Sequence, residues 1–299
     1  MLLVFGSINL DISLRAPHLP APGETVLGDG CLVSPGGKGA NQAHAARRYG
    51  MPTTLVGAVG SDPFAAPALA RLQAAGVDLA PLQRLPGATG CAGIVVDAAG
   101  ENQIVVAPGA NLRLRASAVP DALLARAGAV LLQMEIDPAQ NEALLRRVAG
   151  RSGCLKLLNN APAQPLPGEL LGWLDLLIVN EGELRQTARG AGLDDSGGPL
   201  ELLQALASRF NLTAVLTLGA AGVAACTAAG TRLRLPALPV AATDTTGAGD
   251  TFAGVLAAAL LEARPLHDAL ARASVAAGLA CSRAGAQLAQ PGRDEIEAA

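Results

Sequence analysis

Short apolar runs alternate with longer stretches of helical character along the chain. The apolar runs are continuous rather than alternating, which is typical of strands buried on both faces of a parallel sheet. Gly50 and Gly76 each follow a helical stretch, at the position where a glycine commonly ends a helix. The pattern predicts strands at 2–5, 53–59, 129–134, 155–158, 175–179 and 213–218, and helices at 38–49, 62–75, 138–149, 199–209, 250–263 and 266–282. We therefore expect an α/β fold, with a doubly wound, mostly parallel sheet and helices on both faces, as a single domain over residues 1–299.

Two segments interrupt this alternation. Residues 10–30 and 91–109 contain short apolar runs joined by proline and glycine, and the second segment is typical of a hairpin that turns at "DAAGEN". Four such strands do not fit into a parallel core. They predict a small separate β-sheet that acts as a lid or as an interface.

The composition narrows the class of protein. Hydrophobic residues make up 51% of the chain and charged residues 16%, so a sizeable core can be buried and disorder is not expected. The net charge of −3 and the 2% of aromatic residues disfavour a nucleic-acid or membrane-surface binder. The first apolar run stops at Gly6 and lacks a basic segment. We interpret it as a strand rather than a signal peptide and expect a cytoplasmic protein.

The cysteines and histidines do not indicate a disulfide framework or a zinc site. The five cysteines lie far apart, so we expect small buried thiols in a reducing compartment. The three histidines (His18, His44 and His267) are too widely separated for a zinc motif, and we expect them on the surface.

Polar residues follow the predicted strands repeatedly. Because open α/β sheets bind ligands beyond the carboxyl ends of their strands, several such residues together indicate a polar site, whereas a single one would be explained as a helix cap. The residues in question are Asn9, Asp11, Glu135, Asn159, Asn160, Asn180, Glu183, Thr217 and Gly219.

The glycine-rich stretch "SPGGKGANQA" (34–43) is not a P-loop. The first glycine of that motif would fall on Leu32, and Gly39 rather than serine or threonine follows Lys38. Backbone N–H groups with one lysine and one asparagine could bind a neutral polyol. A plain helix-starting turn with Lys38 in solvent explains the stretch equally well.

The stretch "DTTGAGDTFAG" (244–254) combines a glycine turn with two aspartates and contains no lysine or arginine. Phe252 stands where a dinucleotide-binding motif needs its third glycine, which disfavours a dehydrogenase. The N–H groups of Gly247, Ala248 and Gly249 could hold the charge of a transferring phosphoryl group, with Asp250 as the general base. The alternative is that Asp250 is an ordinary acidic residue in the first turn of a helix.

Six motifs occur in the order and spacing of the ribokinase (PfkB) family of sugar kinases, which the chain resembles from residue 2 to residue 296. They are "GSINLD", "GGKGANQA", "NNAPA", "VNEGE", "TLGAAG" and "DTTGAGDTFAG". The resemblance implies an ATP-dependent kinase acting on the primary hydroxyl of a pentose, with D-ribose and its 5-phosphate as the expected substrate and product. Another sugar or a nucleoside as substrate, a non-catalytic sugar-binding regulator on the same fold, and a dinucleotide-dependent oxidoreductase remain as alternatives.

The resemblance also implies roles for individual residues. The sugar-binding residues would be Asn9, Asp11, Gly37, Lys38, Asn41 and Glu135, joined by Ala92 and Ile94 from the lid. ATP and its magnesium ion would be bound by Asn180, Glu183, Thr217, Gly219, Ala220, Gly222, Gly249 and Ser274. A monovalent cation, K⁺, would be held by the Asp244 carboxylate and by the backbone carbonyls of Thr246, Ala280, Arg283 and Gly285.

The chain departs from the family pattern near the proposed cation. Ala289 stands where a serine is expected, the ending reads "GAQLA" rather than "GAQPS", and "NNAPA" replaces "NPAPA". None of these changes affects the proposed base or the glycine turn. In the family the lid strands form a dimer clasp, so the resemblance implies a homodimer paired through the lid.

Overall fold

The computed structural model describes all 299 residues. The strands are β1 (Leu2–Phe5), β2 (Asn9–Arg15), β3 (Gly30–Gly36), β4 (Thr53–Val56), β5 (Ala58–Val59), β6 (Gln83–Arg84), β7 (Gly90–Val96), β8 (Asn102–Ala107), β9 (Ala129–Leu132), β10 (Leu155–Asn159), β11 (Leu176–Asn180), β12 (Thr213–Thr217), β13 (Val223–Cys226) and β14 (Arg232–Leu235). The helices are α1 (Lys38–Arg48), α2 (Ala65–Ala75), α3 (Asp121–Arg126), α4 (Pro138–Val148), α5 (Gly168–Leu171), α6 (Glu181–Gly190), α7 (Pro199–Phe210), α8 (Ala248–Leu261), α9 (Leu266–Cys281), α10 (Ala286–Ala289) and α11 (Arg293–Ala298).

The central sheet has eight strands in the order β14-β13-β12-β11-β10-β9-β1-β4. The six strands from β12 to β4 in this order are parallel, and β13 and β14 add an antiparallel edge. The predicted doubly wound, mostly parallel sheet is confirmed. The antiparallel edge escaped the sequence analysis, because "VAAC" and "RLRL" are short and weakly apolar.

Helices cover both faces of this sheet. Leu2 and Val4 of β1 pack into a core formed with α1, α2, α8 and α9, whereas Leu3 and Phe5 pack on the opposite face with α3 to α7. Successive side chains of a strand point to opposite faces, so each continuous apolar run supplies both cores.

The strand order reverses at β1, which has β4 on one side and β9 on the other. Ligands of open α/β sheets bind beyond the carboxyl ends of the strands at such a reversal. The chain enters the lid directly after β1, so the first lid residues lie at this position.

The lid is a separate four-stranded sheet in the order β3-β2-β7-β8. The hairpin predicted within 91–109 is confirmed, since β7 and β8 pair antiparallel across the turn at 97–101. The prediction for the other segment, residues 10–30, was only partly right. Residues 10–15 belong to β2, but 16–29 form a loop, and the strand that pairs with β2 lies later, at Gly30–Gly36.

Element boundaries differ from the prediction in two further places. The predicted strand 53–59 breaks at Gly57, where a Cβ would lie 2.6 Å from Ile8 Cδ1, and β5 then pairs with β6 instead of continuing in the central sheet. The predicted helix 62–75 begins only at Ala65. The short helices α3, α5, α10 and α11 were not predicted, and neither was α6, because they are brief or begin within polar segments.

Two expectations about single residues were wrong. His44 lies buried in α1, where burial lowers its pKa to about 4 and its Nδ1 bonds Gln290 at 2.5 Å. Of the five cysteines only Cys154 and Cys226 are buried, and Cys31 on the lid is exposed. No helix combines the length and the apolar character needed to cross a membrane.

Candidate active site

The predicted polar residues meet at the carboxyl edge of the central sheet. Asn159, Asn180 and Thr217 are the last residues of three adjacent parallel strands, β10, β11 and β12. The N-termini of α1 and α8 face the same region, because side chains of the first turns of these two helices bond each other. Gln42 of α1 bonds both Asn159 at the end of β10 and Asp250 of α8, so the structure brings these elements together, while their function as one site stays a prediction.

Asp250 lies in the first turn of α8 and is buried, with only 6% of its surface exposed. Its carboxylate accepts two hydrogen bonds from side-chain amides of α1. Asn41 Nδ2 donates to Oδ2 at 3.0 Å, and Gln42 Nε2 donates to Oδ1 at 3.0 Å. A first-turn acid that only stabilises the helix dipole needs neither burial nor two side-chain donors from another helix, so this arrangement favours a chemical role for Asp250.

The two helices approach closely because α8 carries a glycine at their contact. A Cβ on Gly254 would lie 2.4 Å from the backbone oxygen of Gln42. Absence of this side chain lets α1 reach Asp250 with two consecutive side chains.

The glycine turn before α8 leaves backbone donors free. Gly247 has φ +74°, a left-handed conformation that favours glycine, and no side chain caps the helix. The N–H groups of Gly247, Gly249 and Asp250 have no acceptor within the protein, and nothing lies within 4 Å of the position that a Gly249 Cβ would take. The N–H of Ala248, by contrast, donates to the Thr245 carbonyl at 3.2 Å. An anion thus has room and at least three donors at the positive end of a 14-residue helix.

Lys38 does not extend into solvent. Its pKa is raised chiefly by the nearby Asp250 charge, burial opposes this rise, and Glu135 and Glu183 add to it. The Glu135 carboxylate accepts bonds from Ser7 Oγ at 2.7 Å and from the Lys38 N–H at 3.0 Å. The interpretation of this stretch as a plain turn with a solvated lysine is therefore wrong.

Asp11 on the lid strand β2 faces the same group of charges. Burial and the charges of Glu135 and Asp250 together raise the pKa of Asp11 to about 7, although the Lys38 charge opposes this rise. A Cβ on Gly36 would lie 2.1 Å from Asp11 Oδ2, so the neighbouring strand leaves this carboxylate its space by lacking a side chain. Three carboxylates and one ammonium group thus surround a common space.

The remaining predicted sugar residues line this space from the lid. Asn9 is buried, and its Oδ1 accepts from Asn111 Nδ2 at 2.8 Å, which leaves the Asn9 amide nitrogen free to donate. Ala92 is the register partner of Asp11, and Ile94 lies two residues further on the same face of the sheet. Gly37, at the start of α1, has φ +90° and lies against the backbone of Asn9.

The predicted nucleotide residues lie on the other side of Asp250 and are more exposed. Asn180 and Glu183 form a capping box at the start of α6. The Glu183 N–H donates to Asn180 Oδ1 at 2.9 Å, and the Asn180 N–H donates to Glu183 Oε2 at 2.8 Å. Burial raises the pKa of Glu183, the Asn180 N–H and Lys38 lower it, and the Asp250 charge raises it further. Glu183 therefore faces the same centre as Lys38 and Asp250.

The loop after β12 forms a tight exposed turn. Gly219 and Gly222 have φ +56° and +91°, and the Leu218 N–H bonds the Gly222 carbonyl at 2.8 Å. A Cβ on Gly222 would lie 2.1 Å from the Leu235 carbonyl, so only glycine fits there. Ala220 is exposed at the tip of this turn, and Ser274 is half-buried in the middle of α9.

Asp244 connects the two segments predicted to form the cation site. Its Oδ1 accepts from the Thr246 N–H at 2.9 Å and its Oδ2 from the Gly285 N–H at 2.8 Å. Burial raises the pKa of Asp244, but these hydrogen bonds outweigh burial and leave it below the ordinary value. The loops that carry the carbonyls of Thr246, Ala280, Arg283 and Gly285 are thereby held together. Ala289 is buried in the neighbouring helix α10.

Comparison with known proteins identifies the family. The model of the pfkB family carbohydrate kinases matches residues 1–293. The chain belongs to this family. It is therefore an ATP-dependent carbohydrate kinase, as the sequence motifs predicted.

Individual kinases of the family match over nearly their whole length. The chain is 34% identical to the ribokinase of Haemophilus influenzae over 297 residues, covering 98% of this chain and 96% of that protein. It is 34% identical to the ribokinase of Bacillus subtilis over 296 residues, covering 98% and 97%. The crystal structure of Thermotoga maritima ribokinase superposes with a TM-score of 0.90 at 31% identity, covering 99% of this chain and 98% of that one. Arabidopsis thaliana ribokinase complexed with ribose and ATP superposes with a TM-score of 0.88 at 29% identity, covering 99% and 97%.

Several polar residues of this carbohydrate kinase were not singled out from the sequence. Each of them forms a hydrogen bond with a predicted site residue. They are Gln42, Gln287, Asn111 and Ser7, which bond Asp250, Asn41, Asn9 and Glu135 respectively. Gln42 directly follows Asn41 in "GGKGANQA", and Gln287 lies in the quoted "GAQ". The presence of Gln42 and Gln287 in those motifs was the available signal. Their hydrogen-bond partners are distant in sequence, so only the fold shows which residues they bond.

Proposed function

We propose that this protein transfers the γ-phosphoryl group of ATP to the primary hydroxyl of D-ribose, giving D-ribose 5-phosphate and ADP. The observation that supports it best is the position of Asp250. Its buried carboxylate stands between the polar space lined by Asp11, Lys38 and Glu135 and the unpaired N–H groups of the glycine turn. The relatives at 34% identity that span almost the whole chain are ribokinases, which supports ribose among the possible sugars.

The sugar is bound by groups that donate and accept hydrogen bonds. The carboxylates of Asp11 and Glu135 accept from hydroxyls, whereas Lys38, Asn9 and Asn41 donate to them. Ala92 and Ile94 cover the ring from the lid. The hydroxyl that reacts then lies beside Asp250.

Asp250 acts as the general base. Each of its oxygens accepts one amide hydrogen bond and retains lone-pair capacity for the sugar hydroxyl. As the hydroxyl oxygen forms its bond to the γ-phosphorus, its proton passes to Asp250, and the bond between this phosphorus and the ADP oxygen breaks. The N–H groups at the start of α8 stabilise the charge on the transferring phosphoryl group.

Two cations fit the oxygen donors on the nucleotide side. Glu183 uses one carboxylate oxygen in the capping box and retains the other, so with Asn180 it can hold Mg²⁺ or its water ligands beside the phosphates. The Asp244 carboxylate and the carbonyls of Thr246, Ala280, Arg283 and Gly285 offer a set of oxygens that suits K⁺. When bound, these ions would offset the negative charge of the phosphates near Asp244 and Asp250.

We also propose a homodimer formed through the outer face of the lid. Leu14, Val33 and Val105 lie on three different strands of this face, and their exposed fractions are 44%, 51% and 75%. An apolar face of this kind is costly in water and suits a second copy of the same sheet. Sedimentation at micromolar concentration tests this, and a monomer would contradict it. We further place the enzyme in the cytoplasm as one catalytic domain over residues 1–299.

The substrate is tested with a panel of sugars and nucleosides in a coupled ADP-release assay, with ATP hydrolysis in the absence of acceptor subtracted. D-ribose is expected to give the highest kcat/KM, and a single phosphate ester should form at its primary hydroxyl. A higher value for a ketose or a nucleoside would reassign the substrate. If no sugar or nucleoside in the panel gives ADP release above this background, the non-catalytic regulator would be favoured instead.

A further inference from the structure

Buried amide side chains connect Asp250 to two distant parts of the chain. Gln42 Nε2 donates to Asp250 Oδ1 at 3.0 Å and to Asn159 Oδ1 at 3.1 Å, so both of its hydrogens are used. Asn159 in turn donates to the Ile178 carbonyl of the neighbouring strand at 3.3 Å. The base is thereby tied to the central sheet through Gln42.

A second connection reaches Asp250 from α10. Gln287 Nε2 donates to Asn41 Oδ1 at 3.1 Å, while Asn41 Nδ2 donates to Asp250 Oδ2 at 3.0 Å. If the Asn41 amide turned over, its oxygen would face the carboxylate and its nitrogen would face the nitrogen of Gln287. Gln287 therefore reinforces the orientation in which the nitrogen of the Asn41 amide meets the base.

The orientation of these two glutamine amides leaves buried oxygens unpaired, which indicates that the direction of their nitrogens matters. The Oε1 atoms of Gln42 and Gln287 are buried without a hydrogen-bond partner. An unpaired buried carbonyl is unfavourable, and such atoms in a native protein require an explanation. Here the Gln42 nitrogen donates to Asp250 and the Gln287 nitrogen donates to Asn41, which bonds Asp250. In this orientation the oxygens of both glutamines are left without a partner.

We propose that Gln42 and Gln287 are positioning residues for the catalytic carboxylate. Gln42 acts by direct donation to Asp250, and Gln287 acts by fixing the orientation of the Asn41 amide. This inference rests on the proposed role of Asp250 as the base. Two fixed donors hold the plane of the carboxylate, so that its free lone pairs face the sugar hydroxyl before the substrate arrives.

The experiment measures kcat and the KM values for sugar and ATP for Gln42→Met and Gln287→Met. Methionine keeps the length of the side chain but cannot donate. We expect kcat to fall about 10- to 100-fold for Gln42→Met and about three- to tenfold for Gln287→Met, with KM values within about threefold. The loss should appear in kcat rather than in KM, because a donor that orients the carboxylate need not contact the sugar or ATP.

Gln290→Met is the matched control. Gln290 is also a buried glutamine, three residues after Gln287, but its Nε2 bonds the backbone oxygen of Asn41 and its Oε1 bonds His44. Gln290→Met should lose thermal stability while kcat stays within about twofold of the parent value. Lys38, Asp11 and Glu183 also carry charges that face Asp250. They are present in every variant, so a difference between variants does not arise from them.

The outcomes separate this inference from the proposed function. If Asp250→Asn abolishes turnover but Gln42→Met and Gln287→Met behave like Gln290→Met, the positioning role is wrong while the base remains. If Asp250→Asn turns over normally, the base assignment itself is wrong. Should Gln42→Met fail to fold, Gln287→Met decides, since this residue acts on the carboxylate only through Asn41.

Discussion

On the proposed sugar side of Asp250, buried side chains such as Asn41 form hydrogen bonds with residues that are distant in sequence. On the proposed nucleotide side, the polar groups are exposed backbone groups and a helix cap. Asn41 and Asp250 are 5% and 6% exposed, and residues more than 200 positions apart in sequence form their hydrogen bonds. Gly219, Ala220 and Asn180 are exposed, and their contacts are local.

The difference between the two regions matches what the two proposed substrates require. A sugar is distinguished by the directions of its hydroxyl groups, so its site needs donors and acceptors that are fixed in advance. The triphosphate is a flexible anion that backbone N–H groups, a helix dipole and a cation can bind without a rigid cage of side chains. Asp250 stands at the boundary and belongs structurally to the rigid side.

The largest effect should come from the residue at this boundary. Asp250→Asn keeps the shape of the side chain but cannot accept the hydroxyl proton, so kcat should fall about 10²- to 10⁴-fold. KM for sugar and ATP should stay within a few-fold, because the binding groups on both sides remain. Turnover and melting temperature are measured on the same preparation. A variant that melts early yet turns over at close to the parent rate would show that Asp250 only supports the helix.

Asp294→Asn provides the matched control for that experiment. Asp294 is an exposed acidic residue in the first turn of α11. Its replacement removes the same charge from a helix start, and kcat should not change.

The next largest effect should separate the two sides. Asp11→Ala removes a charged acceptor for sugar hydroxyls, and a hydrogen bond to a charged group contributes roughly 1.5–3 kcal/mol. The sugar KM should therefore rise about 10- to 150-fold while the KM for ATP hardly changes. Ser13→Ala, on the same face of β2, controls for disturbance of the strand. An equal loss for both substrates would contradict the division into two sides.

The pH dependence of sugar binding should show the same division more weakly. Because Asp11 has a pKa raised to about 7, it is mostly protonated near pH 6 and mostly ionised near pH 8. The sugar KM should fall up to about tenfold as pH rises through this window, since both oxygens of the ionised carboxylate can accept hydrogen bonds from sugar hydroxyls. The KM for ATP should not follow it, and Asp11→Asn should remove the trend.

The same raised pKa makes a second, opposite prediction for stability. Between the ordinary value of 3.8 and about 7, the folded state binds a proton at Asp11 that the unfolded state does not. The contribution of Asp11 to the free energy of unfolding therefore decreases as pH rises through this window. Asp11→Asn should lose this part of the pH dependence in thermal melts, and a melting profile identical to that of the parent would contradict it.

The division also explains what the sequence could predict. The parallel sheet was readable because strands buried on both faces are continuously apolar, and the strand ends located the site. The glycine turn was readable because it combines backbone donors with two aspartates and contains no lysine or arginine. The roles of Gln42 and Gln287 were not readable, since a glutamine has no local signature and its partners lie more than 200 residues away. The lid strand at 30–36 was missed because its residues are largely exposed and its apolar run is only three residues long, Cys31–Val33, before Ser34 and Pro35.

The smallest effect should come from the nucleotide side, where Glu183 has two possible roles. As part of a capping box it needs only an oxygen that accepts from the Asn180 N–H. As an organiser of Mg²⁺ and the phosphates it needs its charge. Glu183→Gln separates the two roles, because glutamine retains the accepting oxygen and loses the charge.

If the charge matters, Glu183→Gln should raise the KM for MgATP and the Mg²⁺ requirement about three- to tenfold, with the sugar KM and the melting temperature unchanged. Glu181→Gln, an exposed acid in the same first turn, is the control and should leave all four values unchanged. If Glu183 only caps α6, both variants should resemble the parent enzyme. Asn180→Ala would then lower stability by about 0.5–2 kcal/mol without a specific effect on MgATP, and the proposed nucleotide side would have to be sought elsewhere on the sheet edge.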